Sequence, residues 1–204
     1  MSENEIDEDA ALMLRVKNGD LAAFESLVDK YKQPVVNLIF RTLPDAAEAE
    51  DLAQVVFVQV YKSAHRYQPA AKFTTWLFTI ARNLCLNEIR RRSRHPAESM
   101  DATVGEGAEE SARQYEDTRS FGPEEAALQG ELEDKVQEAI QALPETQRTA
   151  LLLCTDSELS YEDISSVIGC SLSATKSLIH RARETLKQRL KPYLRTGAWE
   201  ARAS

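Results

Sequence analysis

Apolar residues recur along this chain at three- and four-residue intervals, interrupted by only seven glycines and seven prolines in 204 residues. A stripe of that period is buried by a helix and scattered over both faces by a strand. The expectation is an all-α fold. A first helix is predicted to end near Asn18, with Gly19 as its stop and Asp20 capping a second from Leu21 to Tyr31. Asp45 and Glu48 form a capping-box pattern that opens a helix to about Ala64. A fourth runs from Thr74 to Arg92, with Pro96 beyond it. Farther on, helices are expected over 131–143, from Pro144 to Cys154, from the Ser160/Asp163 cap to Gly169, and over 172–190.

The helical pattern lapses between them. Residues 95–130 are rich in Glu, Ala, Ser and Gly without a sustained apolar period, so they read as an acidic, flexible linker. Two small helical domains, 9–94 and 131–195, flank it. Charge follows the same division. Residues 95–134 carry twelve carboxylates against Arg113 and Arg119, a net of −10, so the chain's total of −8 hides a basic remainder. Residues 79–94 carry +4 and residues 172–195 carry +6.

Several function classes find no support. No apolar run reaches the ~18 to 20 residues of a membrane span, and the acidic start is unlike a signal peptide, so a cytoplasmic protein without membrane insertion is expected. Cys85, Cys154 and Cys170 are far apart and lack metal-ligand spacing. No catalytic or phosphate-loop motif occurs, and no catalytic residue, metal or cofactor is assigned.

Near the C-terminus, residues 161–180 place Gly169 between two short amphipathic helices, the arrangement of a helix-turn-helix. At 100° per residue, Leu172, Thr175, Ile179, Ala182 and Leu186 line one face of the second helix, and Ser173, Lys176, Ser177 and His180 cluster opposite. The second set can reach base edges in a major groove, with Arg181 and Arg183 on its flanks for phosphates. A solvated basic helix end would complement the macrodipole without DNA, but it leaves the glycine turn and the caps unexplained.

In the N-terminal half, Asp51, Gln54 and Phe57 fall at i, i+3 and i+6, within about 120° of a helix surface. That face suits a partner helix, or Phe57 is core and the two polar residues are merely exposed. Phe73, Leu77, Ile80, Ala81 and Leu84 form an apolar stripe, with Thr79, Asn83, Leu86 and Arg90 opposite and Arg82 at the border. Trp76 beside this basic helix fits either base stacking or core packing.

Taken in order, Asp51-Leu-Ala-Gln-Val-Val-Phe57, Phe73-Thr-Thr-Trp-Leu-Phe-Thr-Ile-Ala-Arg-Asn83 and the helix-turn-helix ending His180-Arg-Ala-Arg-Glu184 closely resemble the extracytoplasmic-function sigma factors of bacterial RNA polymerase. The resemblance covers about 9–190. It implies an alternative sigma factor, not an enzyme, that binds core RNA polymerase, recognises minus-ten and minus-thirty-five promoter elements and promotes strand opening. By its motifs, Asp51, Gln54 and Phe57 would dock the polymerase; Arg82, Asn83, Asn87, Arg90 and Arg91 would hold the minus-ten strand. Ser173, Lys176, Ser177, His180, Arg181 and Arg183 would read the minus-thirty-five duplex. The family also implies an anti-sigma factor as a partner. Leu178 stands where many relatives carry Arg, and Ser173, Ala174 and Thr175 differ from commoner choices, so the promoter sequence is not implied; nor does the resemblance make Trp76 a base-stacking residue, because Thr75 stands where primary sigma factors carry the neighbouring aromatic. The two elements lie on the order of 70 Å apart. A free coil of the 38 residues 93–130 averages only ~31 to 37 Å, so the linker would have to be drawn out along the polymerase. The rival readings are a two-domain regulator that binds duplex DNA without polymerase, and a helical adaptor, which leaves the basic helices unexplained.

Overall fold

The protein is described from a computed structural model, which defines residues 7–69, 72–94, 123–155, 157 and 159–196. Among them every long element is an α-helix: α1 (Glu8–Lys17), α2 (Leu21–Thr42), α3 (Ala46–Ser63), α4 (Phe73–Arg94), α5 (Pro123–Gln141), α6 (Glu145–Thr155), α7 (Tyr161–Ile168) and α8 (Leu172–Thr196), with a 3-10 turn at Ala64–Arg66. The expected linker from 95 to 122, and the tail from 197 that includes Trp199, lie outside the described residues.

Three of the expected caps form. Asp20 accepts the Ala23 amide at 3.1 Å, Asp45 the Glu48 amide at 3.0 Å, and Ser160 the Asp163 amide at 3.1 Å. Each satisfies a donor that the first helical turn otherwise leaves without a partner. Gly19 and Gly169 both adopt positive φ, 91° and 77°, as helix stops.

Helix α2 departs from expectation, continuing eleven residues past Tyr31 with Pro34 inside it. An interior proline removes one hydrogen bond and costs ~3 kcal/mol or more. Beyond it, however, Val35, Leu38 and Ile39 are buried to within 1% of completely. At ~1.5 to 3 kcal/mol for each such side chain, their burial outweighs the lost bond. The same holds at the far end, where α8 runs through Pro192 to Thr196 and buries Tyr193. Helix α5 begins at Pro123, inside the expected linker. Proline suits a first helical position, and the helix runs from there to Gln141.

Helices α1 to α4 surround Met13, Leu27, Leu38, Ile39, Val56, Val60, Leu77 and Phe78. The buried Asp9 of α1 accepts Lys30 Nζ at 2.7 Å and the Tyr31 hydroxyl, which ties α1 down onto α2. Trp76 belongs to this packing: its ring lies 5.1 Å from Tyr67 and 6.2 Å from Phe73, centroid to centroid, and it is half-buried. Helices α5 to α8 surround Leu152, Leu153, Ile164 and Ile179, with Thr175 and Ala182 fully buried on the face of α8 expected to point inward. The two groups touch, α7 against α4 and α5 and α6 against α2, so most of their buried apolar residues join in one cluster, with Leu143, Leu151 and Ala182 in a smaller one.

Candidate nucleic-acid interface

The recognition surface of α8 follows from its inward face. Because Thr175, Ile179 and Ala182 are buried, the opposite side must face solvent, and there Ser173, Lys176, His180, Arg181 and Arg183 are exposed, with Ser177 half-exposed. Ser177 donates to the Ser173 carbonyl at 3.0 Å, and Arg183 leans toward Cys154 of α6, 3.5 Å from its sulfur. The structure thus brings all six expected residues onto one outward surface. Its angle is set by the turn. Gly169 has φ 77° and ψ 39°, and the amides of Gly169 and Cys170 both donate to the Ser165 carbonyl, at 2.9 and 3.1 Å. A Cβ at Gly169 would meet nothing within 4 Å, so a Gly169→Ala change adds only backbone strain. The expected cost is about 1 to 2 kcal/mol. A thermal melt should show a loss of ~4 °C or more if the helices unfold as a unit of 60–100 residues, and an unchanged melting temperature would contradict the strain.

On α4 the candidates divide. Asn83, Asn87 and Arg90 fall within about 60° of one another on the helix and all are exposed. Arg91 is exposed but bonded to Glu88 at 2.8 and 2.9 Å, and Arg92 pairs with both Glu88 and Glu48. Arg82 lies about 100° round from Asn83 and turns toward α6. It lines a small gap with Leu38, Thr42, Cys85, Leu86 and Thr149, and its Nε is buried without a hydrogen-bond partner. Leu86, expected on the polar face, is half-buried at this contact.

The contact between the two helical groups is polar at its edges. Asp163, at the start of α7, accepts Lys72 Nζ at 3.0 Å and Thr75 Oγ1 at 3.1 Å across the interface. Burial by itself pushes the Asp163 carboxyl up, but hydrogen bonds from Ser160 and Lys72, the Lys72 charge and the Thr75 hydroxyl bring it below the ordinary 3.8. A depressed carboxyl stabilises its contacts above its unfolded pKa and loses that contribution as the pH falls through the folded value. The Asp163 carboxyl is therefore ionised at neutral pH. On the other side Arg148 of α6 donates to the carbonyls of Thr42, Gln141 and Leu143, and Gln141 donates to the Arg41 carbonyl. Burial lowers the Arg148 pKa, with Glu145 opposing. Neither Lys72 nor Arg148 carried a sequence signal for this contact, because their partners across it, Asp163 and Thr42, lie about ninety or more positions away.

Asp51 and Gln54 are exposed on α3, whereas Phe57 is 7% exposed. Phe57 and Gln54 nevertheless border a groove of about 480 Å³ between α2 and α3, with Phe24, Val28, Val58 and Tyr61 as its apolar walls. Val55, Val58 and Tyr61 are 44% to 49% exposed beside it. Exposed apolar patches occur at protein, membrane and ligand interaction sites alike. No group of three or more His, Cys, Asp or Glu side chains suited to a metal, and no helix long and apolar enough to cross a membrane, occurs among the described residues.

Comparison with known proteins bears on both halves. Residues 27–95 match the family model described as Sigma-70 region 2, and residues 133–186 the model described as Sigma-70, region 4. The sequence is 41% identical to the RNA polymerase sigma-H factor of Pseudomonas aeruginosa over 191 residues, covering 93% of this chain and 97% of that protein. It is 35% identical to the ECF RNA polymerase sigma factor SigW of Bacillus subtilis, covering 87% and 94%. Among solved structures, the sigma factor RpoE of Bartonella quintana, in complex with the anti-sigma factor NepR, superposes with a TM-score of 0.64 at 26% identity, covering 82% of this chain and 96% of that one. CnrH, in complex with the cytosolic domain of CnrY, superposes at 0.68 and 22% identity, covering 91% and 99%, and shares the fold.

Proposed function

The chain belongs to the extracytoplasmic-function sigma factors of the sigma-70 family, and from that premise we propose how its residues divide the work of starting transcription. The protein is an alternative sigma factor: it binds core RNA polymerase, recognises minus-ten and minus-thirty-five promoter elements and promotes strand opening. The polymerase makes the phosphodiester bonds; this chain works by binding alone, in the cytoplasm, with no catalytic residue of its own. A regulator acting on duplex DNA without polymerase is not favoured, because family matches cover both halves of the chain.

We assign 9–94 to polymerase binding and the minus-ten element, 95–130 to the linker, the last eight residues of which begin α5, and 131–195 to the minus-thirty-five element. Asp51, Gln54 and Phe57 dock the polymerase, and the apolar groove beside them supports that reading. Asn83, Asn87 and Arg90, with Arg82 and Arg91 flanking, take the opened minus-ten strand, whose unstacking costs a few kcal/mol per base and is offset by pocket contacts. Ser173, Lys176, Ser177 and His180 face base edges of the minus-thirty-five duplex, and Arg181 and Arg183 its phosphates. Partners are core RNA polymerase, promoter DNA in duplex and single-stranded form, and an anti-sigma factor.

The single observation that carries the assignment is the exposure of both polar helix faces on a chain matched by both family models. Reconstitution with core polymerase on genomic promoter fragments tests it, scored by run-off transcripts. An Asp51→Ala/Gln54→Ala variant should compete for core at least tenfold less well while melting like the wild type. No transcript from any fragment would end the reading; wild-type competition by the variant would end the docking assignment.

A further inference from the structure

Arg90, Arg91, Arg92 and Arg94 crowd the end of α4, and they fall into two pairs. Carboxylates hold one of them. Glu88 accepts Arg91 Nε and Nη2 at 2.8 and 2.9 Å and Arg92 Nε at 3.2 Å, while Arg92 also pairs with Glu48 at the start of α3. The charges of Arg91 and Arg92 are thus matched by those of Glu48 and Glu88. Arg90 and Arg94 are exposed, and neither has a carboxylate partner among the described residues.

The helix period decides where each pair points. Measured from Asn83, Arg90 and Arg94 lie at about −20° and +20° and Asn87 at about +40°, so the four share one line along α4. Arg91 lies about 80° round from Asn83, and Arg92 on the far side toward α3. From Asn83 to Arg94 the line runs about 16 Å. That is the length of roughly five phosphates at the ~3.4 Å rise of one strand. Arg94 extends the minus-ten surface by a full turn.

We propose that Arg90 and Arg94 supply the charge that grips the backbone of the minus-ten strand, and that Glu88 is a positioning residue that withholds Arg91 and Arg92 from it. The inference rests on the sigma-factor reading above and names which guanidinium groups act in it; Arg91 flanks the strand as a neutralised side chain. An isolated exposed ion pair contributes little and would yield to a phosphate. This one is bidentate and networked. If Arg91 swung to DNA, Glu48 and Glu88 would be left sharing Arg92, and their side chains are only 23% and 13% exposed. A carboxylate shielded from water costs more when it loses a partner than an exposed one does. Glu88 therefore lets arginines fasten the end of α4 to α3 without adding unspecific charge beside the line that reads bases.

The test uses holoenzyme and a labelled single-stranded oligonucleotide carrying the non-template minus-ten sequence of a transcribed promoter. Each phosphate contact on a single strand contributes about −0.7 to the slope of log affinity against log salt, a factor of about four at ~0.15 M. Arg94→Ala should lose that factor and flatten the slope by ~0.7, with the wild-type melting temperature. Glu88→Gln should gain it by releasing Arg91, and adding Arg91→Ala to Glu88→Gln should cancel the gain. A second measurement needs no variant to fold: phenylglyoxal should modify Arg90 and Arg94 of the wild type several times faster than Arg91 and Arg92, read by mass spectrometry, and the oligonucleotide should protect the first pair on holoenzyme. The proposal is overturned if Arg94→Ala keeps the wild-type slope, if folded Glu88→Gln shows no gain or keeps it without Arg91, or if Arg91 is modified as fast as Arg94. Failure of the sigma-factor reading is a different result: no transcript from wild-type holoenzyme on any promoter fragment.

Discussion

Replacing Lys176, Arg181 and Arg183 together by alanine is expected to weaken binding of the minus-thirty-five duplex by roughly two orders of magnitude at physiological salt. The estimate follows from counterion release. Each phosphate contact contributes about −0.9 to the slope of log affinity against log salt, a factor of about five at ~0.15 M, so Arg181 and Arg183 give roughly 30-fold, and loss of the Lys176 base contact, worth at least about 1 kcal/mol, adds a further factor of about five. All three side chains are exposed and carry no part of the core, which lies on the Thr175, Ile179 and Ala182 side of the same helix. The variant should therefore keep its helical content and its melting temperature. The diagnostic measurement is a salt titration of holoenzyme on a promoter fragment: the slope should flatten by nearly two units. An unchanged slope with lower affinity would mean that these residues act on the fold rather than on phosphates.

Asn83→Ala should leave promoter binding nearly intact and slow opening instead. Asn83 is exposed, so truncating it creates no cavity. What is lost is hydrogen bonding to an unstacked base, worth about 1 to 3 kcal/mol, or about five- to 150-fold in the yield of open complex. Permanganate reactivity of thymines around the start site reads this directly, and competition for core polymerase should match the wild type. Opening at the wild-type level would remove Asn83 from the minus-ten site and leave Asn87 and Arg90 to carry it. The two variants together test a division of labour: one loses its grip on duplex DNA, the other its ability to open it.

These expectations rest on residues that local sequence identifies. The Asp20, Asp45 and Ser160 caps, the Gly169 turn and the inward face of α8 are decided within a few neighbouring positions, because capping bonds span three residues and helix faces repeat every three or four. The outward residues Ser173 to Arg183 follow by subtraction. Where reading by neighbours fails, a longer-range term wins. Pro34 looks like a stop, yet α2 passes through it because Val35, Leu38 and Ile39 are buried by helices that a local window does not contain. Trp76 falls on the same side of α4 as Asn83, yet the Tyr67 and Phe73 rings draw it into the packing.

The family motifs, the all-helical fold and the outward faces were thus determined by the sequence alone, since period, caps and turns are local. Tertiary structure alone decided that Arg82 turns from the Asn83 stripe toward α6, that an apolar groove accompanies Gln54 and Phe57, and that Asp163 reaches Lys72 and Thr75. The reason is physical. A contact between residues some ninety positions apart depends on how two domains pack, and neither helix carries a period or a cap that records its partner.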